Sequence, residues 1–254
     1  MDEARELASK GAPSFTVIVA DLQEKGRGRT SGRTWVAESG ESLLCTVLIR
    51  YADFSAIPTA LSLRAGLAAA QAIEESDPIL AGRVFVKWPN DVLISTSPTR
   101  GAEGKPAWKG ELATARKICG ILCESDGRAV YIGTGINLSQ PGFPVGLSAK
   151  ATSFRMETGH SPDRFGLLDT YIHLLRTVLN DKSEAWQLEL DRRLYLKNCR
   201  IRFESGAAGS ALITEGVLVG IADNGALLIL EDGKEEPIPH ANGELLVYGQ
   251  PHTP

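Results

Sequence analysis

The chain has 254 residues, with 27 Lys and Arg against 31 Asp and Glu, a formal net charge of -4 and 43% hydrophobic residues. This suits one medium domain with a small appendage and a sizeable core, and it argues against a general nucleic-acid surface, which needs a broad Lys/Arg excess. The first residues lack a basic and apolar targeting pattern, no stretch approaches the roughly 18 apolar residues of a membrane span, and Cys45, Cys119, Cys123 and Cys199 are too scattered for a secreted disulfide framework. A cytoplasmic protein with reduced thiols is expected.

A short helix is expected at residues 2–10 and a buried strand at 15–20, which delivers the chain into a basic loop; strands follow at 35–37 and 43–50. Pro58 suits a first helical turn, after which Leu63, Leu67, Ala70 and Ile73 recur at helical spacing and predict a helix covering one sheet face. Residues 83–88 and 91–94 read as strands around a turn or bulge at Pro89-Asn90. Residues 95–116 have little periodicity and read as a long loop, with order resuming at Lys117. Residues 118–123 and 129–137 predict a hairpin turning at Asp126-Gly127. Ser161 as N-cap with Pro162 at the first helical position opens a helix carrying Leu168, Tyr171, Ile172, Leu175 and Leu179, and a second helix follows at 183–195. After Cys199 the pattern changes to short strands with turns at Asp223-Asn224-Gly225 and Asp232-Gly233, the grammar of a small β-barrel, so a boundary is expected near residue 197.

The chemistry concentrates in four segments. In residues 25–35, Lys25, Arg27, Arg29 and Arg33 stand among Gly26, Gly28 and Gly32 with no acidic residue between them and Trp35 at the end. Like-charge repulsion and glycine freedom oppose a fixed shape until an anion arrives, and Arg27 and Arg29 project to one side if the backbone is extended. Lys87-Trp88-Pro89-Asn90-Asp91 joins a strand end, a rigid turn, an amide and a carboxylate. Lys117 precedes Ile118-Cys119-Gly120, in which Gly120 leaves a strand surface open, and Gly133-Thr134-Gly135-Ile136-Asn137 ends the next strand. Neither a nucleotide P-loop nor a complete dinucleotide-binding glycine fingerprint is present, so any ATP must bind by another route. Cys119 and Cys123 lack further ligands for a metal and read as small buried thiols; His160, His173, His240 and His252 are dispersed, and Trp88 and Trp108 read as packing or loop residues.

In this order the four segments resemble the signature blocks of biotin protein ligases, and the resemblance runs over most of the chain. It implies an α/β fold of α+β type: a catalytic domain with a mixed central sheet at residues 1–197, followed by an SH3-like β-barrel at 198–254. It implies an enzyme that condenses biotin with MgATP to biotinyl-5′-adenylate and then transfers biotin to a lysine of a biotin carrier domain, such as that of acetyl-CoA carboxylase. By the same resemblance Lys117, Arg27 and Asp91 are catalytic: Lys117 at the α-phosphate, Asp91 orienting or deprotonating the incoming amine. Gln23, Gly26, Arg27, Gly28, Lys117 and Gly120 would hold biotin; Arg29, Trp35, Asn90 and Asn137 would hold the nucleotide, with Trp35 against adenine. Thr152-Ser153 resembles a smaller element near the nucleotide. No resident metal, nucleic-acid partner or membrane contact is implied, and a homodimer is left open.

The chain also departs from the family pattern. A Ser-Thr pair usually precedes the first helix, whereas Met1 stands where the next residue would lie, leaving one wall of the biotin pocket unaccounted for. The basic loop is one residue longer than usual, which bears on Arg33; Cys119 replaces a common Gly or Ala; and residues 95–116 are an unusually long connection. No helix-turn-helix segment precedes the catalytic region, so transcriptional repression is not expected. Two alternatives remain at this level: a lipoate or octanoate ligase of related fold, with a narrow apolar channel, and a non-catalytic biotin-binding protein.

Overall fold

The computed structural model describes residues 1–29, 35, 38–95, 115–127, 129–206 and 212–246. The expected strand at 35–37 is not formed at Trp35, and Val36 and Ala37 lie outside the described residues, as do Arg33, Trp108, His252 and residues 96–114 of the long connection.

Helix α1 (Asp2–Ser9) leads into strands β1 (Thr16–Ala20) and β2 (Ser42–Arg50), then helix α2 (Leu61–Ser76) crosses to β3 (Val84–Lys87), β4 (Asp91–Ser95), β5 (Ala115–Ser125) and β6 (Ala129–Asn137). The sheet order is β1-β2-β6-β5-β4-β3, and every neighbouring pair is antiparallel. This corrects the expected mixed sheet. The α2 crossover carries the chain past the places of β6, β5 and β4, so β2 and β3, which run the same way, never become neighbours. The β5–β6 hairpin turns where expected, with Gly127 at φ 91, a conformation that L side chains resist.

Two short helices, α3 (Val145–Ser148) and α4 (Phe154–Thr158), precede the longer α5 (Arg164–Asn180) and α6 (Ala185–Arg193). Two helix starts differ from expectation. α2 begins after Ala60, which sits at φ 56, beyond Pro58; α5 is capped by Asp163, whose carboxylate accepts from Phe165 N at 3.1 Å, in place of Ser161. One sheet face presents Leu43, Cys45, Val47, Val130, Ile132 and Ile121 to a core shared with Leu63, Leu67 and Ile73 of α2 and Leu168, Tyr171 and Leu175 of α5. Arg64 of α2 ties this layer together, donating to Val178 O (2.6 Å) with its guanidinium 3.8 Å from the Trp186 ring. The opposite face is only partly covered: α1 lays Ala4 against Leu48 and Tyr131, and Arg5 pairs with Glu124.

Burial pushes the Cys45 thiol up to about 12 and Cys123 to about 11, from 9.0. Above the usual thiol range the unfolded chain therefore releases protons that the folded chain keeps, so stability falls as pH rises from 9 toward the folded values. Melting temperature is expected to drop as pH rises from about 9 to about 11, less steeply in Cys45→Ala, as differential scanning calorimetry would record.

The C-terminal strands β7 (Arg200–Ser205), β8 (Leu212–Ile221), β9 (Leu227–Glu231), β10 (Ile238–His240) and β11 (Gly243–Leu246) form a second antiparallel sheet in the order β10-β9-β8-β7-β11. Among the described residues β10 and β11 are the two outer strands of this sheet and do not pair with each other, so no closed barrel is formed there. The core runs on without a break through Ile201, Phe203, Leu218 and Ile229. Trp88 forms the seam, donating from Nε1 to Gly225 O (3.0 Å) and packing at a tilt against Phe203 with ring centroids 5.6 Å apart. Among the described residues no helix is long and apolar enough to cross a membrane.

Candidate active site

The uncovered half of the second sheet face carries the sequence motifs. Antiparallel pairing sets Lys87 opposite Asp91, Asp91 opposite Gly120, Gly120 opposite Gly135 and Gly135 opposite Leu44, so one row crosses the sheet on a single face. Because side chains alternate, Tyr131, Gly133 and Gly135 of β6 share that face: tyrosine lies under α1, and the glycines leave bare backbone beyond it.

The indole of Trp35 lies on this bare floor. A Cβ at Gly135 would come within 2.9 Å of Trp35 Cε2, and one at Gly120 within 3.1 Å of Trp35 Cζ3 and of Lys117 Nζ. A side chain at either position would force the indole or the lysine to move. Trp35 Nε1 is buried without a hydrogen-bond partner among the described residues, an unmatched donor directly over the floor. The thioether of Met1 covers the neighbouring glycine, its Cε 2.9 Å from a Cβ built at Gly133.

Lys117 reaches the same face through a bulge. Cys119 pairs with Val92 but Lys117 pairs with Leu93, so β5 gains a residue and Lys117 turns toward the side of Gly120. Its Nζ is 2.6 Å from Asp91 Oδ1 and 5.7 Å from the Trp35 ring centroid, with about a third of the side chain exposed. Its backbone is clamped as well: Lys117 N donates to Lys150 O at 2.7 Å, and Thr152 N donates to Lys117 O at 2.9 Å.

The basic loop borders this floor. Gly26 is buried against Trp35, whose carbonyl oxygen would be 2.5 Å from any Cβ there, so only glycine fits that approach. Arg27 donates to Asp2 Oδ1 of α1 at 2.7 Å, and Arg29 donates to Gly243 O of β11 at 2.9 Å. The Arg27 guanidinium holds the Asp2 carboxyl below its ordinary value, so this tie is present at neutral pH and is lost in acid. Gln23 and Gly28 are exposed in the same loop.

The amides are held by the protein itself. Asn90 Nδ2 donates to Ile121 O (2.7 Å), and Ile121 N donates back to Asn90 O (2.9 Å), which fixes the Pro89-Asn90 turn to β5 beside Gly120. Asn137 is buried, its Nδ2 donating to Thr152 O (3.0 Å) and its Oδ1 accepting from Gln140 Nε2 (3.3 Å). Trp35, Asp91, Lys117, Gly120 and the Gly133–Gly135 pair are thus brought around one surface, with Asn90 and Asn137 at its edges as braces, while Arg27 is turned to α1 and Arg29 to β11. Sequence reasoning missed Asp2 as the partner of Arg27, for which no local signal exists, and the buried Glu157 beneath Thr152, which stands in no motif.

The model of the biotin/lipoate A/B protein ligase family matches residues 3–138, more than half of the chain. The bifunctional ligase/repressor BirA of Bacillus subtilis is 35% identical over 173 residues, covering 65% of this chain and 46% of that protein, so the chain spans about half the length of this relative. A biotin acetyl-CoA-carboxylase ligase of Paracoccus denitrificans is 30% identical over 256 residues, covering 94% of this chain and 93% of that protein. The solved structure of the biotin protein ligase from Aquifex aeolicus in complex with biotin and ATP superposes with a TM-score of 0.73, at 24% identity and over 96% of this chain and 93% of that one, a likeness of fold. Matched by the family model over residues 3–138 and by a relative nearly end to end, the chain belongs to the biotin/lipoate A/B protein ligase family, on its biotin protein ligase side.

Proposed function

We propose that this chain is an ATP-dependent biotin ligase: it joins biotin to AMP as biotinyl-5′-adenylate, releasing pyrophosphate, and transfers the biotinyl group to a lysine of a biotin carrier domain. The observation that carries this reading is the bare floor of Gly120 and Gly135, flanked on one face by the Lys117–Asp91 pair and the arginine loop. A flat bicyclic acid fits a surface without side chains, and its carboxylate and the ATP phosphates need the cations that surround it. The names of the relatives, and the biotin and ATP in the Aquifex structure, support the same reading.

In this reading a carboxylate oxygen of biotin attacks the α-phosphorus, the bond from that phosphorus to the bridging oxygen breaks, and pyrophosphate leaves. The Lys117 ammonium, held by Asp91 in the free protein, turns to the carboxylate and the α-phosphate and stabilises the charge that builds there. Arg27 and Arg29 exchange Asp2 and the Gly243 carbonyl for ligand oxygens, and Gln23, Gly26 and Gly28 close over biotin. Trp35 lifts from the floor toward adenine, which gives its unmatched N–H a polar neighbour. Once Lys117 leaves it, Asp91 takes the proton from the incoming lysine amine, which attacks the acyl carbon and displaces AMP. Asn90 and Asn137 brace the nucleotide side.

Among the described residues no group of three or more His, Cys, Asp or Glu could hold a metal ion, so magnesium enters the proposal as part of the MgATP substrate. We assign the chemistry to residues 1–197 and an accessory role to 198–254, whose five antiparallel strands are read as an SH3-like unit. Consumption of ATP and four free cysteines suit the cytoplasm.

The test is pyrophosphate exchange into ATP with biotin or lipoate as the acid, followed by intact-mass measurement of a carrier domain. Biotin is expected to drive exchange and to add one biotinyl mass to the carrier. Exchange driven by lipoate alone would favour the lipoate ligase reading. Tight biotin binding with neither exchange nor transfer would favour a binding protein.

A further inference from the structure

Glu157 of α4 is a buried carboxylate outside every motif, and its side chain is only 5% exposed. Its Oε2 accepts from Arg83 Nη2 at 2.6 Å, while its Oε1 accepts from Arg116 Nη2 at 2.7 Å and from Thr152 Oγ1 at 2.6 Å. Each partner leads to the site. Arg116 directly precedes Lys117, and Thr152 donates its N–H to Lys117 O and accepts from Asn137 Nδ2. Arg83 Nε donates to Ser95 O at the end of β4, the strand that begins with Asp91.

We propose that Glu157 is a positioning residue for Lys117 and Asn137, holding the bulged start of β5 and the Thr152 peptide in one register so that the Lys117 ammonium meets Asp91 and then the reacting phosphate. The inference rests on the ligase reading for its catalytic consequence but not for its structural one. A bulged strand end is locally weak because the ladder is interrupted there. Lys117 also takes part in a single parallel bridge, to Ala151, outside that ladder. A charge-assisted hub with two guanidiniums and a hydroxyl supplies the missing restraint. Displacements near 1 Å at such a site cost about 100-fold in rate.

The test compares Glu157→Ala, Glu157→Gln and Thr152→Val with the wild type by two readouts. The first is biotin-dependent pyrophosphate exchange: Glu157→Ala is expected to lower kcat about tenfold or more with biotin affinity changed less than about threefold, and Glu157→Gln, which keeps an acceptor for Thr152, to recover much of the loss. The second needs no activity: the acetylation rate of Lys117 under limiting acetic anhydride, mapped by peptide mass spectrometry, is expected to rise about threefold in Glu157→Ala as the Asp91 pair loosens. A lowered melting temperature with unchanged kcat and unchanged Lys117 labelling would make Glu157 merely structural and overturn the proposal. If Glu157→Ala does not fold, Thr152→Val, which removes one spoke of the hub, decides by the same two readouts. A wild-type protein without biotin-dependent exchange would overturn the ligase reading, and the labelling result would then decide on Glu157 alone.

Discussion

Lys117→Ala is expected to lower the rate of biotin-dependent pyrophosphate exchange by about 100- to 1000-fold, or roughly 3 to 4 kcal/mol in the barrier, the usual cost of removing one preorganised group from the site of developing charge. The fold should survive. The lost ion pair is partly exposed on both sides, 35% at Lys117 and 24% at Asp91, so solvent screens it and its removal changes stability by no more than about 1 kcal/mol. The bulge is held by backbone bonds to Lys150 and Thr152 that do not involve the ammonium. Lys117→Arg should rescue poorly, because a planar fork does not replace a compact point charge beside a glycine with no side chain. Asp91→Asn separates the two half-reactions: it frees the ammonium for adenylate formation and removes the base for transfer, so single-turnover transfer from isolated adenylate should fall more than exchange does. Exchange at the wild-type rate in Lys117→Ala would remove the lysine from the mechanism.

Gly120→Val is expected to weaken biotin binding by about 100-fold, close to 3 kcal/mol, as measured by titration calorimetry. The contacts that a new Cβ would make are the ends of flexible side chains, Lys117 Nζ and the Trp35 ring at 3.1 Å, so the protein can yield and stay folded. The ligand has no such freedom, because the added methyl groups occupy the surface on which it is proposed to lie. Gly146→Ala is the control: nothing lies within 4 Å of that Cβ, and binding should not change. Unaltered biotin affinity in Gly120→Val would mean that the ligand rests elsewhere and that the bare floor serves only to seat Trp35.

Much of the architecture was legible in the chain because its causes are local. The helical spacing of Leu63, Leu67, Ala70 and Ile73 marks the inner face of α2, and all four are buried. Asp126-Gly127 announces the β5–β6 turn because glycine accepts a positive φ. The two misplaced helix starts arose from competition between neighbouring signals: Asp163 outcompetes Ser161 two residues earlier as a cap, and Pro58 is followed by a turn through Ala60, at φ 56, before α2 begins. The mixed sheet was misjudged for a different reason. Strand order depends on which distant edges meet, and nothing in the sequence of β2 or β3 says that three other strands lie between them.

The amino-acid sequence by itself determined the chemical inventory of this protein: a cluster of arginines among glycines, a lysine and an aspartate in separate motifs, and glycines at 133 and 135 that period-two alternation must put on one strand face. Only the tertiary structure decided how those parts meet. The bulge opposite Val92 and Leu93 aims Lys117 at Asp91, Arg27 and Arg29 find partners 25 and 214 residues away, and Glu157 gathers Arg83, Arg116 and Thr152 under the site. Local propensity is fixed by near neighbours along the chain. Ion pairs and hydrogen bonds between remote segments form only after strand pairing and core burial have set the distances between them.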